Sequence, residues 1–186
     1  ADPMLDAALL TLRGHSASYH RGPCGAWDPA SAAFGEYVVE PLEAHRTVTW
    51  GPADRARAYA STGPLLPPDE CAEAIRVAEA VAAKNGGWLT ARHAQAATTD
   101  MNMKDIPELL EWFNGRLEST LFPMLAARYP DKIKSPDLVR AHDAFIVKYD
   151  ATTPEGQRSL PLHLDESAFS FTIALNDRSE YAGGGT

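Results

Sequence analysis

A histidine and an aspartate stand two residues apart in the run Leu162-His163-Leu164-Asp165. Apolar and polar residues alternate here, which predicts a β-strand, and side chains two residues apart on a strand project from the same face. An imidazole and a carboxylate on one face are two of the three ligands in the 2-His-1-carboxylate arrangement that binds non-haem Fe(II). The spacing therefore predicts a metal site at His163 and Asp165, and the alternative is a surface histidine at a strand end that forms a salt bridge with the aspartate.

Composition and charge narrow the classes of function open to the chain. Its 186 residues suffice for one domain with an appendage, and 45% of them are hydrophobic. The formal net charge is −8 without a basic stripe, which argues against nucleic acid as a partner. No apolar run has the length of a membrane span, so we expect a soluble protein without a membrane partner. The cytoplasm and the lumen of the secretory pathway both remain open as compartments, and the oligomeric state is unknown.

The two cysteines, Cys24 and Cys71, form neither a disulfide framework nor a zinc site. Cys71 falls on the apolar face of a predicted helix, which favours a buried structural thiol. A disulfide between the two remains an alternative in an oxidising compartment.

The chain divides at about residue 64. Residues 1–64 are rich in Gly, Pro, Ser and Ala and predict an extension of uncertain role, packed over a later core. From residue 65 onward the sequence patterns that predict secondary structure are clearer. A helix follows Pro67, with Cys71, Ile75 and Ala78 on one stripe, and Asn85-Gly86-Gly87 predicts its end.

A second helix is predicted after Asp105. Glu108 stands three residues later, as in a capping box, and Pro107 falls in the first turn, where proline is tolerated. Pro123 is expected to end or kink this helix.

Beyond Pro136 the apolar period changes from helical to two, which predicts strands at residues 138–149, 160–165 and 168–175. Two helices followed by a run of strands indicate an α+β fold. The expected core is an antiparallel double-stranded β-helix (a jelly roll, cupin-like) with the helices packed on one side.

Several motifs occur together in a recognisable order. They are Phe145-Ile-Val-Lys-Tyr149, Leu162-His163-Leu164-Asp165-Glu166-Ser167, Phe171-Thr-Ile-Ala-Leu-Asn176 and Tyr181-Ala-Gly-Gly-Gly-Thr186. Residues 65–186, which contain them, resemble the catalytic core of 2-oxoglutarate- and Fe(II)-dependent dioxygenases. Within that family the chain is most similar to the branch of prolyl 4-hydroxylases and procollagen lysyl hydroxylases.

The resemblance implies a role for each matching residue. His163 and Asp165 would bind Fe(II), Tyr149 would hydrogen-bond 2-oxoglutarate, and Thr186 would lie near the distal carboxylate of that cosubstrate. The implied reaction hydroxylates a prolyl or lysyl side chain of a protein or peptide and converts 2-oxoglutarate to succinate, with ascorbate as a possible further cofactor. The same chemistry on a small molecule or a nucleobase is the alternative within enzymes.

Two residues of the family pattern are absent from this chain. No histidine follows His163, and no Lys or Arg follows Thr186 to pair with 2-oxoglutarate. His142 is a poor replacement, because strand parity places it on the opposite face from Tyr149. We favour the explanation that the C-terminal strands are missing, since ending after Thr186 would leave a strand edge unpaired. The other explanation is a non-catalytic binding module that has lost the complete metal site.

Overall fold

The computed structural model describes residues 18–28, 34–36, 59–88, 98–161, 163, 165 and 167–183. These residues form α-helices and two small antiparallel sheets. In chain order the elements are β1 (Phe34–Glu36), β2 (Tyr59–Ser61), α1 (Pro68–Lys84), β3 (Asp100–Asn102), α2 (Pro107–Arg116), α3 (Phe122–Arg128) and β4 (Phe145–Val147).

Helix α1 confirms the first predicted helix. Asp69 and Glu70 stand in its first turn, where carboxylates interact favourably with the helix dipole. Its end coincides with the predicted stop, and Gly86 there adopts a φ of 83°, which favours glycine. The buried stripe consists of small residues, Cys71, Ala74, Ala78 and Ala82. Ile75, which was expected on this stripe, is only partly buried.

Both cysteine thiols are free, so the disulfide alternative does not apply to this structure. Cys71 is buried, as predicted, and burial raises the pKa of its thiol.

Helix α2 confirms the second predicted helix but not its predicted cap. The helix begins at Pro107, its N-cap is Ile106, and no side chain caps it. Asp105 instead ends a 3₁₀ turn, Met103–Asp105, whose cap is Asn102. The Asn102 side chain accepts a hydrogen bond from the backbone N–H of Lys104 at 3.0 Å. The capping-box prediction was wrong because the chain makes this tighter turn before the helix begins.

A π-helical turn, Leu117–Leu121, joins α2 to α3. Pro123 has no N–H to donate to the helix, so the hydrogen-bonding pattern must change at this point. The N–H of Phe122 bonds to the carbonyl of Leu117, five residues back. The carbonyl of Glu118, which Phe122 would bond in a regular helix, accepts from Gly25 at 3.2 Å. The regular helix is thus interrupted just before Pro123, and Gly25 of the N-terminal segment bonds the Glu118 carbonyl that Phe122 leaves free.

The described segment 18–28 packs on α2 and the π-helical turn. Tyr19 is 3% exposed and meets Phe113 edge-to-face, with ring centroids 6.2 Å apart. Asn114 fixes the segment through its amide, which accepts from His20 N at 2.7 Å and donates to Ser18 O at 3.0 Å. This part of the predicted extension therefore belongs to the hydrophobic core.

The sheets are smaller than the sequence predicted. Strand β3 pairs with β4 in antiparallel register, with Asp100 opposite Val147 and Asn102 opposite Phe145. Strand β1 pairs with β2 in the same way. Residues 168–175 are all described and form no strand, so that prediction was wrong.

The other two predicted strands have different outcomes. Only Phe145–Val147 is strand within residues 138–149. Of residues 160–165, those at 160, 161, 163 and 165 are described, and none of them is in a strand. The described residues are mixed helix and two-stranded sheet, and the jelly roll stays a prediction. Within the described part of the chain, no helix has the length and apolar character needed to cross a bilayer.

Candidate metal centre

The structure brings His163 and Asp165 together. Nε2 of His163 lies 3.2 Å from Oδ1 of Asp165, and the two side chains are 43% and 48% exposed. Two ligand atoms in adjacent positions of an octahedral ion would lie roughly 3 Å apart if each bond were about 2.1 Å long. The separation therefore suits two donors that share one metal ion.

The second ring nitrogen of His163 has a partner of its own. Nδ1 lies 2.9 Å from the carbonyl oxygen of Pro161. Because a carbonyl oxygen can only accept, Nδ1 must carry the hydrogen, which leaves Nε2 as the nitrogen that faces Asp165. Histidines that bind metals usually donate their other N–H to a carbonyl or carboxylate in this way.

A neutral imidazole would turn the Nε2 lone pair toward a carboxylate oxygen, and two acceptors 3.2 Å apart repel each other. The contact is favourable only with a cation between the two atoms. A proton gives an ordinary surface ion pair, and a metal ion gives the predicted site. The donor set, one imidazole nitrogen and one carboxylate oxygen, fits Fe(II).

A third ligand does not appear in the part of the chain that the structure describes. Among these residues, no three His, Cys, Asp or Glu side chains form a group that could hold a metal ion. His142 is described and is partly buried. His93, the one other histidine between residue 65 and His163 in the sequence, lies outside the described residues.

Tyr149 follows strand β4, and its side chain is 53% exposed. Partial burial nevertheless raises the pKa of its phenol, so the group stays protonated and can donate a hydrogen bond. Among the described residues, no hydrogen bond joins Tyr149 to His163 or Asp165. Thr186, the other residue expected to bind the cosubstrate, lies outside the described residues.

The backbone on either side of Tyr149 is held by hydrogen bonds. Lys148 N donates to Thr99 O at 2.8 Å, which extends the β3–β4 pairing by one step. Asp150 N donates to Gln157 O at 2.9 Å, which closes the loop that follows. The side-chain oxygen of Gln157 accepts from Thr99 N at 2.5 Å. The residue expected to bind 2-oxoglutarate thus stands at a fixed junction of strand and loop.

A cluster of Glu79, Trp88 and Lys148 lies beside this junction, and sequence reasoning missed it. Lys148 Nζ is 2.7 Å from Oε1 of Glu79 and 5.7 Å from the centre of the Trp88 ring. The indole N–H of Trp88 donates to the other Glu79 oxygen at 3.1 Å. The hydrogen bond from Lys148 is the main cause that holds the pKa of Glu79 below its ordinary value.

A buried polar network runs along β3, and it was also missed. Thr98, Asp100 and Asn102 are all buried. The Thr98 hydroxyl donates to Asp100, and the Asn102 amide donates to Asp143 at 2.9 Å. The sequence does show short polar side chains at every second position, Thr98, Asp100 and Asn102. This pattern alone could not predict the network, because Asp143, which accepts from Asn102, is distant in the sequence.

No family model, curated protein sequence or solved structure matches the chain. The resemblance to the dioxygenases therefore stays a prediction from the sequence motifs.

Proposed function

We propose that the protein carrying this chain is a 2-oxoglutarate- and Fe(II)-dependent dioxygenase that hydroxylates a peptidyl proline or lysine. The observation that carries the proposal is the 3.2 Å approach of His163 Nε2 to Asp165 Oδ1, with Nδ1 of the same ring anchored on Pro161 O. The order of the surrounding motifs supports it.

His163 and Asp165 would hold the iron through one nitrogen and one oxygen. The Pro161 carbonyl fixes the imidazole tautomer, so that Nε2 keeps its lone pair for the metal. Bound Fe(II) and 2-oxoglutarate would together activate O2, so that one oxygen atom enters the C–H bond and the other enters succinate, which forms with CO2; ascorbate is a possible reductant.

Tyr149 would bind the cosubstrate rather than the metal. Its protonated phenol can donate to a carboxylate of 2-oxoglutarate, and the half-exposed side chain is accessible to a small molecule. Thr186 would contribute near the distal carboxylate, as the resemblance implies.

A non-catalytic binding module is the second candidate. Its specific support is that the described residues supply two metal ligands and no group of three. Such a module would keep the His163–Asp165 contact as an ion pair and would neither bind Fe(II) tightly nor consume 2-oxoglutarate.

Turnover separates the two candidates. We expect the protein to convert 2-oxoglutarate to succinate only when Fe(II) is present. His163→Ala should lower this rate by about 100-fold or more, since loss even of a residue supporting a ligand costs 10- to 100-fold. His142→Ala is the matched control and should retain activity, because no salt bridge pairs His142 with a carboxylate among the described residues. Equal activity in His163→Ala and the wild type would contradict the ligand assignment.

The substrate class needs its own experiment, because the core motifs do not specify it. Incubation with a library of proline- and lysine-containing peptides should give products that have gained one oxygen atom, read by mass spectrometry. Uncoupled 2-oxoglutarate turnover without any modified peptide would favour a small molecule or a nucleobase as substrate.

A further inference from the structure

Lys148 is the residue immediately before Tyr149, and its side chain is fixed on helix α1. Its ammonium group bonds to Glu79 at 2.7 Å and lies over the ring of Trp88. Trp88 holds the other oxygen of the same carboxylate, so both Glu79 oxygens are engaged. The Lys148 side chain is 32% exposed and that of Glu79 is 46% exposed. The cluster therefore lies at the surface but has a defined geometry.

Neighbouring side chains on an extended chain point to opposite faces. Lys148 N bonds to Thr99 O in continuation of the β3–β4 ladder, so the chain is still extended at this residue. Fixing Lys148 against α1 on one face therefore limits the rotation of the strand about its axis. The same constraint limits the directions in which the Tyr149 phenol can point.

We propose that the Glu79–Lys148–Trp88 cluster positions Tyr149 for binding 2-oxoglutarate, with Lys148 as a positioning residue that does not itself touch the cosubstrate. This inference rests on the proposed function. It extends that function by assigning a role to three residues outside the metal pair and the cosubstrate site.

The energetics favour orientation over stability as the role of the cluster. An exposed ion pair contributes little to folding, because solvent screens it and two long side chains lose freedom. Arg76 and Glu73 form such a pair within the same helix, three residues apart, with side chains 67% and 57% exposed. The Glu79–Lys148–Trp88 cluster instead joins α1 to the strand before Tyr149. It can restrict the conformational freedom of Tyr149 before the ligand binds, which lowers the entropy cost of binding.

The test compares three variants of the protein. Lys148→Met keeps most of the aliphatic stem and removes the charge. Lys148→Arg keeps a cation that can reach Glu79 and Trp88. Arg76→Met, the matched control, breaks the other ion pair of α1. For each, calorimetry measures the Kd of 2-oxoglutarate with the Mn(II)-loaded protein, which does not turn over, and kinetics measure KM and kcat.

We expect Lys148→Met to weaken 2-oxoglutarate binding by about two- to tenfold, the range expected for the cost of immobilising one side chain. KM should rise in parallel, whereas kcat and the affinity for Mn(II) should change little. Lys148→Arg should recover most of the loss, and Arg76→Met should bind like the wild type.

Three results would overturn the inference. Unchanged Kd and KM in Lys148→Met would show that the cluster does not position Tyr149, while the proposed function would stand. An equal loss in Arg76→Met would show a general effect of altered surface charge. Failure of the wild type to bind 2-oxoglutarate would refute the proposed function and, with it, the positioning role.

Discussion

At the scale of single residues, the two nitrogens of His163 have different partners, and this difference indicates what the side chain can do. Nδ1 is hydrogen-bonded to Pro161 O, and Nε2 lies 3.2 Å from Oδ1 of Asp165. A surface histidine needs only one of these contacts to form an ion pair. The anchored Nδ1 matches the pattern of a metal-binding imidazole, and the carboxylate beside Nε2 fits either a shared metal ion or a surface ion pair.

Tyr19 carries a prediction about stability at the same scale. Its buried hydroxyl lies 3.3 Å from Asn102 Oδ1 and accepts from Ala144 N at 3.1 Å. Tyr19→Phe should lower the free energy of unfolding by about 1 kcal/mol, the usual net contribution of a hydrogen bond. Urea denaturation measures the change. Tyr59→Phe, which alters a tyrosine 38% exposed, is the control and should change stability by less than about 0.5 kcal/mol. Equal losses in both variants would contradict the role of the Tyr19 network.

At the scale of elements, Glu70 joins helices α1 and α2. Its carboxylate accepts from the Trp112 indole at 2.8 Å and from Nε of Arg116 at 2.8 Å. The hydrogen bond from Trp112, followed by that from Arg116, holds the pKa of Glu70 below its ordinary value of 4.5. Because the pKa of Glu70 is lower in the folded state, its ionised carboxylate stabilises the fold. This stabilisation is complete at pH values above the ordinary pKa and is lost as the pH falls through the pKa of the folded state.

The pH dependence of stability tests this link between the helices. Glu70→Gln should lower the free energy of unfolding at pH 7 by about 1 kcal/mol, allowing for partial screening by solvent. The difference from the wild type should shrink as the pH falls below the ordinary value of 4.5. Urea denaturation at a series of pH values measures both effects. Glu73→Gln, which breaks the more exposed pair with Arg76, should have a smaller effect. A difference that is constant with pH would contradict the account.

The helices could be predicted from the sequence because their signals are local. Pro67 and Asn85-Gly86-Gly87 mark the ends of α1, and Pro107 marks the start of α2. The strand predicted at 168–175 failed because a period-two pattern requires a partner strand, and the sequence does not reveal the partner. Phe169 instead packs on Tyr129, with ring centroids 4.9 Å apart.

The site shows the same division between local and distant contacts. The spacing of His163 and Asp165 predicted that they would share a strand face; their side chains approach each other, although neither residue is in a strand. The contact between Lys148 and Glu79 joins residues 69 positions apart, and nothing in either local sequence indicates it. Tyr19 and Asn102 are 83 positions apart and were missed for the same reason.

At the scale of the whole molecule, the described N-terminal segment and the helices share one hydrophobic core. Tyr19 lies in that core together with residues of α1, α2 and α3. Several aromatic side chains of the later part of the chain are exposed, among them Phe145, Tyr149 and Phe171. The helical part therefore supplies most of the buried apolar contacts, and the proposed chemistry belongs to the more exposed part that follows β4.

The most direct test of the central claim is whether His163 and Asp165 bind a metal ion. Calorimetric titration with Mn(II), a redox-stable substitute for Fe(II), should show one site in the wild type and in the control His142→Ala. His163→Ala and Asp165→Ala should each lose that site or weaken it by at least about 100-fold. Binding of the same strength in all four proteins would contradict the account, as would the absence of binding in the wild type.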